Sequence, residues 1–350
     1  MPRIIEGPND WRGPDIAQSS EWIHQFSRDE IAEIDAAFRS AKARGLTLAT
    51  LGKDDFPLPT VSKRIAHARD YLENGRGLYQ FRGIKVEGYS KDDLRMIYWG
   101  LGRHLGTAVS QSKDGDILGD VRNVGIDINK PNGRGYKSNQ KLTFHTDSAD
   151  VTGLFVLHVA MRGGLSMLAS SVAVHNEIAR THPDLLDVLY QPFYWSWNQQ
   201  EPDGGPPYYQ QPIFSFHQGK FSCRYIRGQI RNAQLYDGVP KLTPEQIAAM
   251  DLIDELANSP QFHFAYMFKP GDLQLLCNHT CFHARTAFED YPEHYRRRHL
   301  LRMWLSVPNS RPLSPLMGTI YQDQRPGAVR GGFPSRSGRH IYESTGEMVD

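Results

Sequence analysis

Ile31, Ile34 and Phe38 recur at helical spacing behind a capping box of Ser27 and Glu30, and this predicts a helix that Gly45 closes. A second helix is expected over residues 60–74, ahead of Gly75. A third is expected over residues 90–105, capped by Ser90 and Asp93, with a strand at 78–84 between the two. The first hundred residues therefore read as mainly helical. Beyond them the pattern changes. Residues 110–140 are rich in Gly, Asp, Asn and Lys and lack sustained periodicity, so they predict a long loop or two short strands. Loops of that length in compact domains are often functional. A strand at 154–159, a turn at Arg162-Gly-Gly-Leu-Ser166 and a helix over 174–190 should follow. Residues 199–212, rich in Pro, Gly and Gln, are expected to form a mobile insertion.

Thr243-Pro-Glu-Gln246 is a strong helix start, with Pro at the first helical position, and that helix should end near Asn258. Pro270-Gly-Asp272 turns the chain into a strand at 273–278. Residues 299–307 then show a period of two: Leu301, Met303, Leu305 and Val307 face one way, while Arg298, Leu300, Arg302 and Trp304 face the other. The tail from Arg311 reads as an extended arm, in which residues 336–342 could fold back as a lid. Helices followed by many short strands suit an antiparallel barrel or jelly roll better than alternating βαβ units. The expected division is a helical decoration over 1–75, a catalytic domain over 76–310 and the C-terminal arm over 311–350.

Composition removes several classes of function. The 350 residues carry 40 Lys plus Arg against 39 Asp plus Glu, a net charge of +1 that favours neither nucleic acid nor an anionic membrane. A small-molecule partner is the expectation. No apolar run approaches the roughly 20 residues of a membrane helix, and the first residues lack a signal-peptide core, so a cytoplasmic protein is expected. Cys223, Cys277 and Cys281 are too few and odd in number for a disulfide framework, which fits a reducing compartment.

The candidate chemistry begins with His145 and Asp147. Two apart on a strand, their side chains share a face and can meet one ion, although such a pair also occurs as a plain strand end or cap. His283, far downstream, can complete a facial triad on ferrous iron, leaving the opposite face of the metal open. Arg302, on a face that lines a cavity, must find an anion; a bidentate carboxylate would satisfy it, and a structural salt bridge with Asp272 or Glu289 is the alternative. Arg298 shares that face. Cys277, His279, Cys281 and His283 alternate in a way that invites a zinc reading, but no second Cys pair exists to close such a site. His158 and His175 read as core histidines, and His104, His217, His263, His294 and His299 have no companion motif.

Phe144-His-Thr-Asp147, Arg162-Gly-Gly-Leu-Ser166, the segment from His283 to Asp290 and the segment from Arg298 to Leu305, in that order, resemble the taurine dioxygenase-like (TauD/TfdA) family of the clavaminate synthase-like superfamily. The resemblance runs over residues 75–307. It implies a mainly β fold with flanking helices around a double-stranded β-helix, a jelly-roll, cupin-like core. It also implies Fe(II), 2-oxoglutarate as co-substrate and O2 as oxidant. By motif matching, His145, Asp147 and His283 would be the iron ligands. Arg302 would take the far carboxylate of 2-oxoglutarate, with Arg298 as a second candidate and the Ser166 hydroxyl standing where the family commonly has Thr.

The reaction implied is oxidation of an unactivated C–H bond with release of succinate and CO2. Hydroxylation is the first expectation, with desaturation or oxidative cyclisation as other outcomes. Asp147 itself argues for oxygenation, since related halogenases replace that carboxylate with a small residue. The interval from Asp147 to Ser166 is shorter than in taurine dioxygenase, which bears on the pocket mouth and hence on the substrate. Candidate substrate residues are Gln111, Arg122, Asn123, Trp195 and Trp197; Arg122 could meet a carboxylate, which favours a small organic acid or amino acid. A non-catalytic barrel binding a small acid, and a metal hydrolase using the same ligands, are the competing functions.

Overall fold

Alternation along one strand organises the architecture. In the computed structural model, which describes residues 4–126, 135–333 and 335–342, the strand His299–Ser306 sends Leu301, Met303 and Leu305 into a cluster with the helices Arg28–Ala43, Val61–Asn74 and Lys91–Leu105. Its other face turns Arg302 and Trp304 towards a cavity. The helix packing is close: a Cβ on Gly102 would lie 2.6 Å from Met303 Sδ, so only glycine lets the helix approach this strand. Each fully buried Leu, Ile or Phe at this interface contributes about 1.5–3 kcal/mol of apolar burial.

His299–Ser306 belongs to a seven-stranded sheet. Its order is Ile23–Gln25, Leu78–Arg82, Leu273–Cys277, Val151–His158, His299–Ser306, and then Thr107–Val109 and Leu118–Val121, which share the outer edge of the last strand. All neighbours are antiparallel except the first pair. A four-stranded antiparallel sheet, ordered His263–Tyr266, Ser166–Ser170, Cys281–Arg285 and Leu142–His145, lies against it. Leu78 and Leu276 of the larger sheet meet Leu168, Phe264 and Cys281 of the smaller one. The outer face of the small sheet buries Phe144, Ala169, Phe282 and Ala284 with Ile178 and with Ala249, Met250 and Ile253 of the helix Pro244–Asn258. The result is the expected jelly-roll core between two helical layers. Because both sheets are covered on both faces, their central strands are buried almost throughout.

Several expectations are corrected. The amino-terminal region is not only helical, because Ile23–Gln25 forms an edge of the large sheet. The helix expected over 174–190 is two helices, Ser171–Thr181 and Pro183–Leu189, parted at His182, since the residue before a proline resists helical backbone. The segment expected as a mobile insertion pairs Tyr208–Pro212 with Pro192–Ser196 in a hairpin. The expected extended arm turns back instead. Leu313, Met317, Ile320 and Tyr321 are buried, and Arg311 bonds Glu73 and the Phe221 carbonyl. Arg330 reaches Asp150 at 2.9 Å. Ile341 exchanges backbone hydrogen bonds with the loop at Gly115 and Ile117. No helix among the described residues is long and apolar enough to cross a membrane.

His175 is fully buried beside the Tyr190 hydroxyl, at 2.9 Å, and burial pushes its pKa from 6.5 down to about 4. The unfolded chain therefore takes up this proton first. The associated stability is present above pH 6.5 and lost as the pH falls towards 4, up to about 3 kcal/mol. Thermal melting of the metal-free protein is expected to weaken across that window, and His175→Gln to flatten the decline; an unaltered slope in the variant contradicts this account.

Candidate active site

Strand register brings two imidazoles together. His283 on Cys281–Arg285 lies directly opposite His145 on Leu142–His145, with ring centroids 4.2 Å apart. The ladder is irregular between His283 and Arg285, and the strand carrying His145 ends there. Asp147 thus sits in the following turn, not on the same strand face as the period-two argument expected. The turn is gripped from several sides. Asp147 N donates to Asn278 Oδ1 at 2.9 Å, and Thr152 Oγ1 donates to Asp147 Oδ2 at 2.8 Å. Asn278 Nδ2 in turn donates to Thr152 Oγ1 and to the Ala149 carbonyl, both at 3.0 Å. One ligand atom from each of His145, Asp147 and His283 falls within 4.8 Å of the others.

The protonation states suit a cation. Burial alone would raise the Asp147 carboxyl, yet the Arg302 charge, the two imidazoles and the Thr152 hydroxyl hold it at about 2. Burial, then the charges of His145 and Arg302, push His283 down to about 3 against the pull of Asp147. Both groups are therefore in the deprotonated forms that metal ligation requires. His145 Nδ1 lies 2.8 Å from the Thr143 carbonyl, which fixes the ring and leaves Nε2 for a metal. Two neutral imidazoles and one carboxylate, with a cavity beside them, fit the three-ligand face that a non-haem iron centre needs.

The triad opens on a cavity of about 590 Å³, which Ser166, Gln274, Arg285, Arg298 and Arg302 also line. Arg302 Nη1 is 3.7 Å from Asp147 Oδ1. Its Nε donates to Gln111 Oε1 at 2.6 Å, Gln111 Nε2 returns a bond to the Arg302 carbonyl, and the guanidinium lies over the Tyr136 ring at 4.4 Å. The salt-bridge alternatives for Arg302 are not made, since Asp272 holds Arg82 and Glu289 lies nearest Arg162. Arg298 is buried over Phe288, and its Nη1 has no hydrogen-bond partner among the described residues. It runs alongside Gly164, whose φ of 73° follows 69° at Gly163, a backbone that glycine adopts without strain. Two residues on, Ser166 Oγ accepts from Gln274 Nε2 at 2.9 Å.

Of the residues expected to meet substrate, Trp197 lines the cavity. Gln111 also reaches it, but as the clamp on Arg302. Arg122 and Asn123 are not among its lining residues, and Asn123 caps the turn at Gly125. Trp195 is wholly buried, with its indole N–H on the Gln211 carbonyl and Arg224 over its ring. The alternating Cys and His residues do not form a metal site: His279 pairs with Asp150 at 2.9 Å, and the cysteines are free and buried. Sequence reasoning missed Thr152, Asn278, Gln274, Arg285, Trp304 and Phe333. Arg285 and Trp304 each stand two positions from a residue already chosen, so strand periodicity could have found them; Phe333 comes from the tail and carried no local signal.

Residues 42–304 match the family model described as taurine catabolism dioxygenase TauD, TfdA family. FR-33289 synthase of Streptomyces rubellomurinus (strain ATCC 31215) is 32% identical over 326 residues, spanning 91% of this chain and 95% of that protein. Among solved structures, asparagine oxygenase with Fe(II), 2S,3S-3-hydroxyasparagine and succinate aligns at a TM-score of 0.62 and 14% identity, over 81% of this chain and 93% of that one. The non-haem iron oxygenase OrfP with Fe and alpha-ketoglutaric acid aligns at 0.59 and 16%, over the same shares. The chain belongs to the TauD/TfdA family. Its activity is that of an Fe(II)- and 2-oxoglutarate-dependent dioxygenase.

Thr152 fixes the metal-binding carboxylate without touching the metal, a role whose loss typically lowers metal affinity about 10–100-fold. Thr152→Val should therefore weaken Fe(II) binding by that order in an anaerobic titration while leaving the fold intact. Undiminished Fe(II) affinity would show that the hydroxyl does not orient Asp147.

Proposed function

We propose that this oxygenase hydroxylates an unactivated C–H bond of a small organic acid or amino-acid-like substrate, with His145, Asp147 and His283 holding the iron. The observation that carries the reading is the His145–Asp147–His283 face opening on one cavity that also contains buried, unneutralised guanidinium groups. When bound, iron and 2-oxoglutarate supply the oxidising power, as dioxygen is reduced and the oxoacid is decarboxylated to succinate. The protein's own residues do the binding and the orientation. Arg298 and the Ser166 hydroxyl are assigned to the far carboxylate of 2-oxoglutarate, because Arg298 has a free buried N–H beside the strand that bears Ser166.

Arg302 is better assigned to the metal end than to the far carboxylate. Its Nη1 is 3.7 Å from a metal-binding carboxylate, whereas the far carboxylate belongs to the opposite end of a five-carbon diacid chelated at the metal. There it faces the metal-bound carboxylate or an anionic substrate group, and Gln111 and Tyr136 hold it in one direction. Trp197, Trp304 and Phe333 form an aromatic wall that keeps water from the substrate side, with Trp304 and Phe333 ring centroids 5.9 Å apart. An amino-acid-like substrate agrees with the products named in related structures, hydroxyasparagine in asparagine oxygenase and (3S)-hydroxy-L-Arg in OrfP.

Succinate release, followed across a panel of amino acids and small acids with Fe(II) and 2-oxoglutarate, tests the reading. His145→Ala and Asp147→Ala are expected to abolish it, and Arg298→Ala to raise the 2-oxoglutarate KM about 10–100-fold, as loss of a charged hydrogen bond predicts. Undiminished release by His145→Ala would overturn the iron assignment.

A further inference from the structure

We propose that Arg285 is a second guanidinium of the co-substrate site, closing with Arg298 on the far carboxylate of 2-oxoglutarate. The step rests on the reading that this acid binds with its far end at Arg298 and Ser166. Arg285 stands two residues beyond His283 on the same strand, and in the ladder it lies directly opposite Ser166. It is 5% exposed and lines the cavity. Its Nη2 donates to the Ser138 and Gln140 carbonyls at 2.7 and 2.5 Å, while Nε and Nη1 have no partner among the described residues.

Arg285 and Arg298 share one aromatic ring. Their guanidinium carbons lie 4.6 and 5.1 Å from the centroid of Phe288, so two buried cations are held close together. Burial pushes Arg285 down to about 10, and burial and then the Arg285 charge push Arg298 down to about 9. Asp290 is the acid that opposes both shifts. One further carboxylate between the two guanidiniums brings the group to neutrality and gives the free N–H donors an acceptor. A buried like-charge pair with donors left over on both members is the arrangement expected of a site built for an anion, and a residue that only fastened Ser138 and Gln140 would not need the unused Nε and Nη1 beside Ser166.

The test separates recognition of the far carboxylate from support of the fold. Anaerobic Fe(II) protein is titrated with 2-oxoglutarate and with 2-oxobutyrate, which chelates iron through the same keto acid but lacks the far carboxylate; the visible charge-transfer absorption of the chelate reports binding. Arg285→Gln is expected to weaken 2-oxoglutarate about 10–100-fold and to leave 2-oxobutyrate unchanged, with Arg285→Lys between wild type and Arg285→Gln. Arg285→Lys carries the same comparison if the glutamine variant does not fold. Equal losses for both acids, or no loss for either, overturn the proposal. A wild-type protein that binds neither acid defeats instead the co-substrate reading on which it stands.

Discussion

The antiparallel register that places His283 opposite His145 is the constraint on which the site depends. Side chains alternate along a strand, so a slip of one residue in either strand would turn one imidazole away from the metal and move the buried neighbours of both strands to the wrong face. The small sheet resists such a slip because each strand is tied into a buried face: Phe282 and Ala284 pack outward against the helices while His283 and Arg285 face the cavity. Chemistry and core packing are specified by the same alternation.

Asp147 cannot be fixed by that ladder, because it lies beyond the strand end, and the protein holds it by a different means. Asn278 bridges the backbone of Asp147, the Thr152 hydroxyl and the Ala149 carbonyl, and so joins the turn to two strands of the large sheet. Three residues further on, Asp150 accepts from His279 and Arg330, all of them buried. Gly332 N then donates to the Ser148 carbonyl at 2.6 Å. Buried ion pairs are expensive to desolvate and are weak evidence for stability by themselves. Here they dictate position: the C-terminal segment is latched to the turn that carries the metal-binding carboxylate. The folded-back tail is therefore part of the site's scaffold, and through Phe333 part of its wall.

The cavity divides by chemistry along one strand and its neighbours. Arg298 and Arg302 leave the same strand region four positions apart, and the first is buried against Phe288 while the second lies beside Asp147. Guanidinium groups stay charged through burial, so each must be neutralised by what enters the cavity or by an acid already there. Arg302 has Asp147; Arg285 and Arg298 together have Asp290 and unused donors. The distribution makes the co-substrate end deep and cationic. The substrate end is built from Trp197, Trp304 and Phe333, which come from three distant parts of the chain.

Local signals alone settled what depends on near neighbours in the chain. The capping boxes at Ser27, Ser90 and Thr243, the alternation over residues 299–306 and the pairing of His145 with Asp147 are all effects of residues within about four positions of one another, where helix and strand periods operate. The ordered motifs were enough to identify the family, its jelly roll and its metal ligands. Tertiary structure decided the partners. Whether Gln111 meets substrate or clamps Arg302, and whether Trp195 or Trp197 reaches the cavity, turns on contacts between segments tens to hundreds of residues apart. The same is true of the tail, whose Gly, Pro and Arg content reads as extended chain until Arg330 finds Asp150. Composition and spacing report the cost of leaving a charge or a ring exposed, but only the folded packing determines which distant group removes that cost.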